Sequence, residues 1–243
     1  VRLNVEEDRV KIGIIGAGMI GGTLAKRLTT LGHEVAIANS RGPDTLRELA
    51  AEARATAVTV AEAARHGEIV IVTIPQRAIA DLPKELFAGV PDEVVVIDTG
   101  NYYPTRDGHI PAIEKGQAES AWVAEQLGRR VVKAFNNIFF KHLMEKGTPR
   151  GTPDRIALPV AGDPPEGRAK VLRLVEDLGF DALDAGSLED SWRQQPGTPC
   201  YGKDLTAPRL KEALAAADHS KIPEYRQAAD DAVRTYFETE RRG

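Results

Sequence analysis

A single cysteine, Cys200, in 243 residues rules out an internal disulfide and fits a reducing compartment. No apolar run approaches the roughly 20 residues needed to cross a bilayer, so no membrane partner is expected. An excess of one charge is also missing. Thirty-two Lys and Arg face 36 Asp and Glu, for a net charge of −4, and the absence of a basic block argues against nucleic acid. There is no Cys/His ligand cluster, so no metal site is expected. The five histidines are scattered, and no Ser-x-x-Lys or Tyr-x-x-x-Lys pattern falls at a useful place. No catalytic acid or base is therefore assigned. Residues 1–9 are mixed and acidic rather than apolar, which reads as a flexible leader and not a secretory signal. Cytoplasm is the expected location.

What is present is concentrated in residues 10–41. An apolar run, Val10 to Ile15, leads into Gly16-x-Gly18-x-x-Gly21, a helical pattern (Leu24, Leu28, Leu31) and a second apolar run from Glu34 to Ala38. Strand, glycine turn, helix and strand make the dinucleotide-binding unit in its required context. Gly16 permits the tight turn, Gly18 lets backbone approach a pyrophosphate, and Gly21 lets the helix pack on the strand. The amides of the first helical turn, at Met19 and Ile20, then face the phosphates with the positive end of the helix dipole.

The end of the second strand selects the cofactor. An Asp or Glu there would hold the ribose 2′-hydroxyl of NAD. The chain instead has Asn39, Ser40 and Arg41, with no carboxylate before Asp44. An amide, a hydroxyl and a guanidinium can each donate to a 2′-phosphate, which a carboxylate would repel. This predicts NADP(H).

Further strands are expected at 57–59, 68–75, 94–99, 130–136, 155–162 and 180–185. Helices are expected between them, at 44–53, 60–66, from Pro75, at 120–127 and at 166–178. The alternation predicts an α/β fold: a Rossmann-type, doubly wound, mainly parallel sheet spanning residues 10–186. From 187 to 243 strands give way to a polar loop, SWRQQPGTPCYGKD, and two helical stretches, 208–218 and 223–241. This reads as a short helical appendage on the substrate side or at a dimer contact. No internal repeat or low-complexity tract interrupts the chain.

Ligands of open α/β sheets bind beyond the carboxyl ends of the strands. The residues that follow the buried runs there are Thr73-Ile74-Pro75, Asn101, and Asn136-Asn137-Ile138. Thr73 to Pro75 offer an apolar wall and a hydroxyl for one face of a flat ring. Asn136 and Asn137 either bind the carboxamide of a nicotinamide or cap the helix expected from Phe139. Lys133 fits an alternating exposed strand face as well as it fits catalysis. His142 reads as a helix-surface residue. Trp192 and Arg193 either hold a second redox ring or pack the appendage on the core.

Together, GIIGAGMIGGTLAKRLTTLGHEVAIANSR, VTIP, VVKAFNNI, PVAGD and LDAGSL resemble the NADPH-dependent reductases of the deazaflavin coenzyme F-420 (F420). They also resemble the related cytosolic domain of the STEAP metalloreductases. The resemblance covers about residues 10–196. It implies NADP at the glycine loop with Ser40 and Arg41 on the 2′-phosphate, and a flat redox partner near Thr73–Pro75 and Asn136–Ile138. It also implies a homodimer. The deazaflavin reductases carry His at the position of Asn136, whereas the metalloreductases carry Lys-Ala-Phe-Asn, as here, so a flavin stands beside F420 as acceptor. The expected function is an NADPH-dependent oxidoreductase acting on such a small-molecule acceptor. Reduction of a small imine or carbonyl, or a non-enzymatic NADP sensor, are the alternatives.

Overall fold

β-branched residues fill both faces of the central strands, which is why those strands read as unbroken apolar runs. A computed structural model describes residues 9–240. Of the expected leader, residues 1–8 lie outside the described residues, as does Arg241, the last residue of the expected stretch 223–241. The strands are β1 (Lys11–Ile15), β2 (Glu34–Ala38), β3 (Thr56–Ala57), β4 (Ile69–Val72), β5 (Val95–Asp98), β6 (Val131–Lys133), β7 (Ala157–Gly162) and β8 (Asp181–Asp184). They form one sheet in the order β3-β2-β1-β4-β5-β6-β7-β8. Every neighbouring pair is parallel except β6 and β7. The fold is the expected Rossmann-type α/β sheet, with strand order reversing between β1 and β4.

Alternate side chains feed two cores. Ile12, Ile14, Ile37, Ile69, Ile71 and Ile97 face the helices Met19–Thr30, Arg47–Ala53 and Pro165–Asp177. Ile15, Val70, Val72, Val96 and Val131 face the other side, where Val123 and Leu127 of helix Glu119–Leu127 cover them. A third cluster joins Ala157 of β7 to Cys200, Leu210 and Leu214, so the segment after residue 186 packs on the same sheet. Its helices are Ala207–Ala215 and Ile222–Glu240.

Three local features differ from the sequence reading or go beyond it. β6 stops at Lys133 rather than 136, because Phe135 takes a left-handed backbone (φ 61°) that turns the chain out of the ladder. The helix after Pro75 is a single turn, Gln76–Ile79. The polar loop of the appendage is substantially buried: Ser191, Gln194, Gln195 and Thr198 are all within the core. Cys200 is buried with them, and burial pushes its thiol up to about 11, which makes it inert as a nucleophile. Among the described residues, no helix is long and apolar enough to cross a membrane.

Candidate functional site

Backbone bonds beyond the strand ends set the site's floor. Gly16 N–H donates to the Ala38 carbonyl (2.9 Å), Thr73 N–H to Ile15 (2.8 Å), Thr99 N–H to Val72 (3.1 Å) and Ala134 N–H to Asp98 (3.2 Å). These bonds hold the loops after β1, β4, β5 and β6 side by side at the carboxyl edge. The switch point between β1 and β4 lies in the middle of this row, where open α/β sheets bind ligands.

The glycine loop fits a dinucleotide phosphate. Gly16 has φ +118°, and a Cβ there would lie 2.2 Å from the Thr73 carbonyl oxygen, so only glycine makes this turn. A Cβ on Gly21 would lie 2.0 Å from the Gly16 carbonyl oxygen, whereas nothing lies within 4 Å of one on Gly18. Gly18 is exposed and begins helix Met19–Thr30 with no side-chain cap. The first-turn amides of Met19, Ile20 and Gly21 therefore point outward without an intrahelical acceptor. An open backbone cradle at an uncapped helix start is what a pyrophosphate requires.

At the end of β2, Arg41 and Ser40 are exposed, and among the described residues the Arg41 guanidinium forms no ion pair. Asp44, the nearest carboxylate in sequence, is engaged by Arg47 at 2.5 Å. Asn39 has a different part. Its Nδ2 donates to Thr45 Oγ1 (2.9 Å) and its Oδ1 accepts from the Arg41 backbone N–H (2.9 Å). It shapes the loop that presents Ser40 and Arg41, and they remain the free donors.

Thr73 and Ile74 are half-buried and Pro75 is exposed, next to the glycine turn. Asn101 and Asn136 clasp one another: Asn101 Nδ2 donates to the Asn136 carbonyl (2.9 Å) and Asn136 Nδ2 to Asn101 Oδ1 (3.1 Å). Asn136 also donates to the Gln194 carbonyl (2.7 Å) and accepts from Gln194 Nε2 (3.0 Å). Its amide is spent on tying the β5 and β6 loops to the appendage. Neither asparagine caps the next helix, because Phe139 occupies that position before Phe140–Glu145. Asn137 and Ile138 are buried; the Asn137 carbonyl accepts from Gly202 N–H (3.1 Å).

Beneath these loops lies a charged cluster that the sequence reading did not find. Lys133 is wholly buried, not on an exposed face. Its Nζ donates to the Gly100 carbonyl (2.7 Å) and lies 3.6 Å from Asp98 Oδ2 and 3.8 Å from Glu119 Oε2. Ser120 Oγ donates to Asp98 Oδ2 (2.6 Å) and Gln76 Nε2 to the Glu119 carbonyl (3.1 Å). Burial pushes the Glu119 carboxyl up to about 7, against the pull of Lys133. Apart from Asp98 and Gly100, the partners in the cluster stand far apart in sequence, so no local motif could disclose it. Nearby, the hydroxyls of Tyr103 and Tyr201 bond to each other, and burial pushes Tyr103 up to about 12.

The remaining sequence candidates fall at the periphery. His142 Nδ1 lies 3.0 Å from Asp204 Oδ1 at the surface, with Lys146 on the same carboxylate (2.7 Å). Trp192 is half-buried, edge-on to His219 (4.9 Å) with Arg193 over its ring (4.6 Å), so it packs within the appendage. A groove of about 520 Å³ lined by Val94, Val96, Arg129 and Pro164 sits at the amino ends of β5 and β6, the opposite edge from the glycine loop.

Comparison with known proteins bears on the family. The family model described as "NADP oxidoreductase coenzyme F420-dependent" matches residues 11–102. The crystal structure of hypothetical protein SMa0349 from Sinorhizobium meliloti is 31% identical, covering 82% of this chain and 97% of that one, with a TM-score of 0.68. A candidate F420-dependent NADP-reductase from Arthrobacter sp. FB24 is 25% identical over 74% of this chain and 86% of its own, with a TM-score of 0.60. The Escherichia coli K12 protein YjhV is 44% identical over 69 residues, 28% of this chain. The chain spans about half the length of that curated relative (50%).

Proposed function

Because the chain belongs to the family of coenzyme F420-dependent NADP oxidoreductases, we propose that it is an NADP-dependent oxidoreductase that moves hydride between NADP(H) and a deazaflavin (F420) or flavin-like acceptor. The observation that carries this reading is two exposed apolar side chains at the carboxyl edge. Met19 is 56% exposed and Phe139 43%, and Leu31 is the one other large apolar side chain so exposed among the described residues. Met19 opens helix Met19–Thr30 and Phe139 precedes Phe140–Glu145, two helices that pack together. The Phe139 ring leans on Phe140, 4.7 Å between centroids. Wetted apolar surface beside a cofactor site is unfavourable until something flat and apolar covers it. A tricyclic redox ring is such a cover; a small polar substrate is not.

When bound, NADP(H) supplies the hydride, and the chain supplies orientation. Gly18 and the first-turn amides of Met19, Ile20 and Gly21 take the pyrophosphate. Ser40 and Arg41 take the 2′-phosphate. Thr73, Ile74 and Pro75 wall one face of the nicotinamide, while Asn101, Asn137 and Ile138 close its far end. A homodimer belongs to the same proposal.

The test is to mix protein and NADPH anaerobically with F420, FMN, FAD and riboflavin in turn, and to follow the loss of NADPH absorbance. Turnover with at least one acceptor is expected. No turnover above blank with any of them removes the reading. Turnover of small ketones or imines without a flavin would put a carbonyl or imine reductase in its place. NADPH binding without turnover, together with a ligand-dependent change in oligomer size, would favour a sensor.

A further inference from the structure

The main chain of the loop after β5 is held by charged side chains. Gly100 N–H donates to Asp98 Oδ1 (2.8 Å), and the Gly100 carbonyl accepts from Lys133 Nζ (2.7 Å). The Asn101 carbonyl accepts from Arg106 Nη2 (2.5 Å). Tyr102 N–H donates to Glu119 Oε2 (3.1 Å) and Tyr103 N–H to Asp107 Oδ2 (3.0 Å). Four consecutive residues are thus each fixed by an ionisable group. Gly100 fits tightly among them, since a Cβ there would lie 2.8 Å from Asp98 Oδ1 and 2.9 Å from Gln76 Oε1.

Stability alone does not account for this arrangement. Taking a lysine and two carboxylates out of water costs much of what their attraction returns, and apolar residues of similar volume commonly pack such a site at least as well. What the charges provide, and apolar residues would not, is a fixed position for the Gly100 carbonyl. That position propagates. Asn101 follows Gly100 directly and clasps Asn136, so one anchor sets both loops at the far side of the switch point.

We infer that Lys133, with Asp98 and Glu119 as its buried counter-charges, is a positioning residue for the redox end of the NADP(H) site, fixing the Gly100–Asn101 and Asn136–Asn137 backbones against which the nicotinamide rests. Lys133 does not touch the cofactor and acts through the Gly100 carbonyl. The inference rests on the placement of NADP(H) proposed above and is independent of the acceptor's identity.

Lys133→Met alone leaves both Asp98 and Glu119 without their cation, whereas Asp98 keeps bonds from Gly100 N–H and Ser120 Oγ, so the informative protein is Lys133→Met combined with Glu119→Gln. It is compared with Glu119→Gln alone and with the wild type. Calorimetry measures affinity for 2′-phosphoadenosine diphosphoribose, which lacks the nicotinamide, and for NADPH. Nicotinamide fluorescence reports how firmly the ring is held. All three proteins are expected to bind the truncated ligand within about threefold of one another, because the adenine end lies beyond the cluster's reach. Wild type and Glu119→Gln should enhance NADPH emission on binding, and the double variant should lose most of that enhancement. A double variant that keeps the wild-type emission overturns the inference. Loss of emission in Glu119→Gln alone does so too, as does a double variant that cannot fold. If the wild type binds neither ligand, the cofactor placement itself fails and the inference falls with it.

Discussion

Gly18 and Gly21 are three residues apart in one motif, yet the structure gives them opposite liabilities. A methyl on Gly21 would collide with the Gly16 carbonyl oxygen at 2.0 Å, whereas one on Gly18 meets nothing within 4 Å. Alanine normally favours a helix over glycine by about 0.5–1 kcal/mol, but a backbone clash of this size outweighs that gain. Gly21→Ala is expected to lose about 1–3 kcal/mol of stability, read from urea unfolding. Gly18→Ala should unfold at the wild-type midpoint and bind NADPH about tenfold more weakly or worse, because its methyl occupies the pyrophosphate's approach. A Gly18→Ala protein with wild-type affinity would remove the phosphate from this loop. At this scale the sequence was informative where spacing alone specifies chemistry, as in Gly16-x-Gly18-x-x-Gly21. It was silent where a residue's partner is distant, as with Lys133 and Gly100 or Asn136 and Gln194.

At the scale of elements, strands and helices were legible because their periodicity is local. The early end of β6 depends on the left-handed turn at Phe135, which nothing in VVKAFNN specifies. The burial of SWRQQPGTPC was illegible for the same reason. Polar residues enter a core when they find partners, and those partners come from 58 positions earlier, where Asn136 meets Gln194. That clasp couples the appendage to the site. Asn136→Ala would leave Gln194 Nε2, the Gln194 carbonyl and Asn101 Oδ1 short of a partner in a buried place. The expected loss is about 2–4 kcal/mol by denaturant unfolding. A loss below about 1 kcal/mol would show that the clasp contributes little.

For the whole molecule, the buried cluster makes stability depend on pH. Glu119 ionises at about 7 in the folded chain, raised from an ordinary value of 4.5 chiefly by burial, with Lys133 and Arg226 pulling the other way and Asp98 adding to the rise. A raised folded value means that Glu119's contribution is fully present below about pH 4.5 and is lost as pH rises through about 7. Glu119→Gln cannot ionise, so it lacks this loss. Its stability relative to wild type should therefore improve by a few kcal/mol between pH 4.5 and 8. Urea unfolding of both proteins across that range measures it, and a pH-independent difference would sink the assignment.

The reversal of strand order has a broader consequence. Ser40 and Arg41 hang from β2 on one side of β1, while the loops of β4, β5 and β6 stand on the other. On the proposed placement, selection for a phosphorylated or unphosphorylated coenzyme acts on one flank, and selection for an electron acceptor acts on the other. Relatives could thus diversify their chemistry without renegotiating their nucleotide. An engineer could likewise swap coenzymes by editing a single surface bend and leave the reactive face alone.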